Sequence, residues 1–361
     1  MAQILIAPDS FKGSATSAQV AMALADGWKI TRPDDEIMIA PFADGGEGTL
    51  DCIESVAPRS LRIPITVQGA TGIEHETSWL LVGSDTAVIE MATLCGITTL
   101  DELDPLGAHS YGLGQAIKAA LEDERINEIL VAVGGSASTD AGFGALSALG
   151  FKGLDSSGNQ IALGGGDLHR VVSIERPAHI VKPARGIKIL VDVQSPLTGL
   201  NGAAHIFGPQ KGADLAQVHQ LDDGLTHFLQ LLGIEDQPGF GAAGGVSCGL
   251  AVLLGATIVS GVETIADLIG LQEKIENSDC VITGEGSFDD QSYRGKAVGY
   301  VLEIAKEIKR PVMIACGVNK NAESPSIISL VDLAPSVESA IADSQRWLIE
   351  CGKGLASRFN H

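Results

Sequence analysis

The chain has 361 residues, 44 of them glycine, with 45% hydrophobic, 19% charged and only 4% aromatic side chains. This composition supports full hydrophobic cores, leaves room for about two domains, and excludes a disordered tail protein. The formal charge of −21 repels phosphate backbones and anionic lipid, so no nucleic-acid or membrane partner is expected, and an anionic ligand would need placed cations, backbone N–H groups or a metal.

The start, MAQILIAPDSFKGS, has no basic leader, and its apolar run is too short for a signal peptide. Residues 3–7 read as a strand, and Ser17 as the cap of a helix that runs to Trp28 with Val20, Leu24 and Trp28 on one face. Residues 36–40 predict the next strand, followed by a glycine loop and a helix beginning near Gly48. The stretch 61–93 is different: LRIPITVQGATG, ETSWLLVG and DTAVIEMA are short β-rich runs joined by turn residues, as in a mixed or antiparallel sheet. Strand–loop–helix units return at 128–133 with 140–149, and at 280–283 with 295–309; IKILVDV (187–193) and 312–315 are further buried strands. Continuous Val/Ile/Leu strands separated by helices indicate a parallel sheet covered on both faces. The uncharged segment 237–262 is broken by seven glycines and reads as a loop, a buried helix and a strand, not a membrane span. Six scattered cysteines without a C-x-x-C pair read as reduced core thiols of a cytoplasmic protein.

No G-x-x-x-x-G-K-[ST] motif or kinase catalytic-loop signature occurs, and the one G-x-G-x-x-G, at Gly239, Gly241 and Gly244, follows Asp-Gln-Pro where a dinucleotide site needs a strand. Chemistry concentrates instead in polar glycine loops at strand ends. Residues 8–14 (PDSFKGS) offer a carboxylate, the hydroxyls of Ser10 and Ser14, Lys12 and a glycine at a helix start; read alone, a ligand loop and a polar cap are equally good accounts. In ADGGEGT (43–49), Asp44 and Glu47 lie among Gly45, Gly46 and Gly48, a pattern suited to Mg²⁺ or to a polyol hydroxyl. Gly134, Gly135, Ser136, Ser138 and Thr139 follow a buried strand and precede a helix, as an anion-binding nest requires, while Asp140 could cap that helix. Asp192 closes an apolar strand as a candidate base or metal ligand, with a strand-end residue reaching solvent nearly as good a reading. Lys211 lies between glycines, suited to a phosphate or carboxylate; Glu285 and Asp289 form a third acidic glycine loop, with Lys296 at the next helix. Acidic loops for a metal and nests with lysines for phosphates together point to metal-assisted phosphoryl transfer.

Taken in order, APDSFKGS (7–14), ADGGEGT (43–49), GGSASTDAGFG (134–144), NGAAHIFGPQKGA (201–213), GAAGG (241–245) and VITGEGSFDDQSYRGK (281–296) resemble the type I glycerate kinase family across most of the chain. The resemblance implies an α/β protein of two domains: a Rossmann-like parallel-sheet domain from both chain ends (1–66 plus 270–361), and an inserted α/β domain with a mixed sheet (67–269). It implies ATP and Mg²⁺ as cofactors, D-glycerate as substrate, phosphorylation at the 2-hydroxyl, and a site in the interdomain cleft. On that basis Asp192, Asp44 and Lys12 are the catalytic candidates. Substrate would be bound by Ser10, Lys12, Asp44, Gly45, Gly46 and Lys211. The phosphates would lie on residues 134–139, and the metal on Glu47, Glu285 and Asp289. Departures from the family pattern fall at Thr139, Ala141, Gln194-Ser195 and Ser287-Phe288. A D-glycerate 3-kinase, a kinase of another small hydroxy acid and a non-catalytic sensor are the alternatives; the oligomeric state stays open, a homodimer being one option.

Overall fold

In the computed structural model, which describes residues 1–57, 59–293, 296–322 and 324–359, the chain divides into two compact units. The first comprises Met1–Asp44, Asp51–Pro58 and Val262–His361, and the second Gly45–Leu50 and Arg59–Gly261. The strands, in chain order, are β1 (Gln3–Ile6), β2 (Glu36–Ile39), β3 (Leu61–Gln68), β4 (Glu74–Val82), β5 (Thr86–Glu90), β6 (Glu128–Ala132), β7 (Lys152–Leu154), β8 (Ser173–Glu175), β9 (Ile187–Leu190), β10 (Thr257–Val259), β11 (Cys280–Phe288), β12 (Val312–Asn319) and β13 (Ile327–Ser329).

The first unit is a five-stranded sheet of order β13-β12-β11-β1-β2, parallel at every pairing. Counted within the sheet, this is the doubly wound order 2-1-3-4-5. Ile4, Ile6, Cys280 and Ile282 are fully buried on these strands, as expected where helices cover both faces. The helix Ser17–Thr31 is capped by Thr16, whose side chain pairs with Gln19 in a capping box. The cap therefore falls one residue before Ser17, the position expected from the sequence. That helix packs on Ser344–Arg358, and the two backbones meet closely: a Cβ on Gly27 would lie 2.0 Å from the Ile349 carbonyl oxygen. Gly295, the expected start of a later helix, lies outside the described residues; the helix itself spans Ala297–Glu307.

The second unit carries a six-stranded sheet of order β10-β9-β6-β5-β4-β3. Its pairs are parallel from β10 to β5 and antiparallel from β5 to β3, which is the mixed sheet anticipated from residues 61–93. Segment 237–262 forms a short helical stretch and β10, with Cys248 and Leu250 fully buried. All six cysteines are buried thiols. Among the described residues, no helix is long and apolar enough to cross a membrane.

Candidate active site

In a 2-1-3-4-5 sheet the connections leave neighbouring central strands toward opposite faces, so the loops at their carboxyl ends diverge and leave a crevice. The first unit has a cavity of about 400 Å³ at this place, lined by residues that follow β1, β2 and β13 and by the carboxyl-terminal parts of β11 and β12. The loop after β1 is held in line with the sheet, because Ala7 N–H donates to the Ile282 carbonyl at 2.7 Å and Asp9 N–H to the Gly284 carbonyl at 2.8 Å. Phe11 anchors the next turn: it is 2% exposed and its carbonyl accepts from the Ser14 N–H and Oγ. Lys12 is left exposed beside the cavity.

The charged half of the cavity contains Asp9, Asp44, Glu285 and Asp289, with Lys12 and Lys296. Burial, reinforced by the charge of Asp44, pushes the Asp9 carboxyl up to about 7, against opposing pulls from the Ser10 amide and Lys12. Burial also raises Glu285, with Asp289 and Asp44 adding to the effect and Ser292 and Lys296 opposing it. One oxygen of buried Glu285 and the hydroxyl of Ser287 have no hydrogen-bond partner among the described residues. Asp289 pairs with Lys320 at 3.7 Å. Crowded carboxylates and an orphaned buried carboxylate oxygen are hard oxygen donors that fit a divalent cation such as Mg²⁺. No group of three or more His, Cys, Asp or Glu side chains disposed to hold a metal occurs among the described residues. The arrangement therefore suits Mg²⁺ held by one or two carboxylates and completed by phosphates and water.

The second unit contains a different cluster. Lys211 is 3% exposed; its ammonium donates to Ser136 Oγ at 2.9 Å and to the Ser138 carbonyl. Burial lowers Lys211 to about 8, with Asp140 and Cys95 acting in the opposite sense. Ser138 Oγ is buried without a hydrogen-bond partner among the described residues. Two amides of the nest anticipated at residues 134–139, and several of the amides that follow it, are engaged by the protein itself. Gly134 N–H donates to Gly45, Ala137 to Cys95 and Ala141 to Gly244. Asp140 takes the amides of Ser110, Gly142 and Gly144 and the Ser110 hydroxyl. This carboxylate occupies the helix start, so the helix Phe143–Ala148 begins three residues later than the apolar pattern suggests. Ala141, at a position where the family pattern has glycine, adopts φ +53°, a left-handed conformation that costs a non-glycine residue about 1 kcal/mol or more.

The remaining candidates are distributed as follows. Asp44 belongs to the first unit and Gly45, Gly46 and Glu47 to the second. A Cβ on Gly134 would lie 2.5 Å from Gly46 Cα, so these glycines serve close loop packing. Glu47 is exposed. Asp192 accepts from Ser260 Oγ and Gly261 N–H, both at 3.0 Å. Ser10 lines the first unit's cavity. The sequence shows the Asp9 carboxylate in the loop after the first strand but assigns it no role; its signal is its place two residues past the last apolar strand residue.

The model of the glycerate kinase family matches residues 4–360. The chain belongs to the glycerate kinase family. The family makes it a kinase, that is, a transferase. Its relatives include the glycerate 2-kinase of Escherichia coli K12, 38% identical over 87% of this chain and 85% of the relative. A glycerate kinase of Halalkalibacterium halodurans is 35% identical over 99% of this chain and 98% of the relative. A crystal structure from Salmonella typhimurium LT2, named for glycerate kinase 2, superposes with a TM-score of 0.80 at 32% identity, covering 99% of this chain and 97% of that one.

Proposed function

We propose that this member of the glycerate kinase family transfers the γ-phosphoryl group of ATP to the 2-hydroxyl of D-glycerate, giving 2-phosphoglycerate and ADP. The observation that carries the reading is the first unit's cavity, where two lysines line the same space as a set of carboxylates, burial and neighbouring charge raise Asp9 and Glu285, and one Glu285 oxygen has no partner among the described residues. Phosphoryl transfer rests on positioning and charge neutralisation, and this cavity has the residues for both. Glu285, with Asp289 or Asp9, would hold Mg²⁺, which neutralises phosphate charge when bound. Lys12 and Lys296 supply point charges for phosphate oxygens. In the second unit, Lys211 with the Ser138 hydroxyl suits the carboxylate of the acid. As the new P–O bond forms and the bond to ADP breaks, the hydroxyl proton passes to a carboxylate, Asp44 or Asp192.

The deciding assay incubates the protein with Mg-ATP and D-glycerate and resolves the two phosphoglycerate isomers. Formation of the 2-isomer is expected. The 3-isomer would overturn the hydroxyl assignment, and a folded protein inert toward glycerate would overturn the substrate.

A further inference from the structure

The first unit's cavity has a second half that the phosphate chemistry does not use. Val318, Leu330, Val331, Val337, Ala340 and Ile341 line it. Val337 and Ile341 lie four residues apart on the short helix Val337–Ala342 and are 51% and 57% exposed. Residues four apart share a helix face, so two large apolar side chains border one cavity while open to solvent. Leu330 and Ala340, at 2% and 5% exposed, form its packed base. Gly317 and Val318, which line the cavity as well, lie past Cys316, the last β12 residue paired with β13.

An apolar wall next to two lysines is complementary to a molecule with a flat apolar end and an anionic end. D-Glycerate has no apolar surface, whereas the base of a nucleoside triphosphate is a flat ring joined to phosphates. The cavity volume of about 400 Å³ falls within the usual range for small-molecule sites, roughly 300–1,000 Å³. In the loop at residues 134–139, the amides of Gly134 and Ala137 are taken by carbonyls of the protein itself.

We propose that the apolar half of this cavity seats the purine base of the nucleotide, so that the first unit carries ATP with its phosphates toward Lys12 and Lys296. This rests on the kinase reading above and assigns the nucleotide to a unit other than the one holding the 134–139 loop.

The test uses the full chain and the variants Val337→Asp and Ile341→Asp, both at exposed positions. Calorimetric titration with ADP and, separately, with inorganic tripolyphosphate separates base from phosphate contacts. The expected result is ADP binding at least 10-fold weaker in each variant, tripolyphosphate binding within twofold of the parent, an unchanged melting temperature, and a raised KM for ATP with the KM for D-glycerate unaltered. Unchanged ADP affinity in both variants would overturn the assignment even if glycerate is phosphorylated normally. Equal weakening of ADP and tripolyphosphate would overturn it too. Failure of the parent protein to phosphorylate glycerate would remove the reading of function, while the two titrations would still decide the base site.

Discussion

At the scale of single residues, Asp9 shows how place in the fold sets chemistry. Its carboxyl is raised to about 7, first by burial and then by Asp44, so the folded state holds that proton more tightly than the unfolded chain. Stability is therefore lost as pH rises from the ordinary Asp range toward 7, and levels off above it. In Asp9→Asn this slope should flatten, and the variant should exceed the parent near pH 8 by about 1–3 kcal/mol, a figure reduced for partial solvent access. Chemical denaturation between pH 5 and 8 measures it; identical slopes in the two proteins would refute the assignment. Added Mg²⁺ should flatten the parent's slope as well, by favouring the ionised carboxylates. Asp140 is the opposite case: it gathers three amides and a hydroxyl within its own unit. A carboxylate beside a glycine loop looks the same in sequence whether it serves a ligand or the fold.

At the scale of elements, apolar runs were enough to locate β1, β6, β11 and β12, because parallel strands buried on both faces must be continuously apolar, and β2, an edge strand with no fully buried residue, was found by the same short run. Boundaries were less legible. Competition between neighbouring capping side chains put the cap of Ser17–Thr31 on Thr16, and left-handed backbone at Ala141 and Gly142 delayed the helix Phe143–Ala148. The contact between Ser17–Thr31 and Ser344–Arg358 depends on small residues: Cβ atoms on Gly27 and Gly352 would lie 2.0 Å and 2.4 Å from backbone oxygens of the opposite helix. Gly27→Ala is expected to destabilise the protein by about 1–3 kcal/mol, since overpacking against backbone has no flexible atom to displace. Met22→Ala on the same helix, at a position 59% exposed, should change the melting temperature little. A Gly27→Ala protein that melts with the parent would contradict the close approach.

At the scale of the whole molecule, the chain crosses between its units inside the ADGGEGT loop, after Asp44, and again near Leu50, Pro58 and Gly261. The proton acceptor proposed for the reaction thus has a candidate in each unit. Asp44 lines the first unit's cavity beside Asp9, Glu285, Lys12 and Lys296, while Asp192, held by Ser260 and Gly261, is not among the residues that line it. We therefore expect Asp44→Asn to lower kcat by at least about 100-fold, the usual scale of general-base catalysis, and Asp192→Asn to cost less. Steady-state kinetics with pH profiles for both variants decide it. A larger loss in Asp192→Asn would put the acceptor in the second unit.

Local pattern by itself determined the class of the protein. Apolar strands alternating with helices, polar glycine loops at strand ends and a strongly acidic composition lie within short stretches of chain, so sequence order preserves them, and the ordered loop motifs carried the family. Which loops share a site was decided by tertiary structure, because strand order is a long-range property: β1 pairs with β11 across most of the chain length. That pairing brings Asp9 beside Glu285, where burial raises both carboxyls. The pairings of β12 with β11 and with β13 bring residues between 317 and 341 to the apolar half of the cavity.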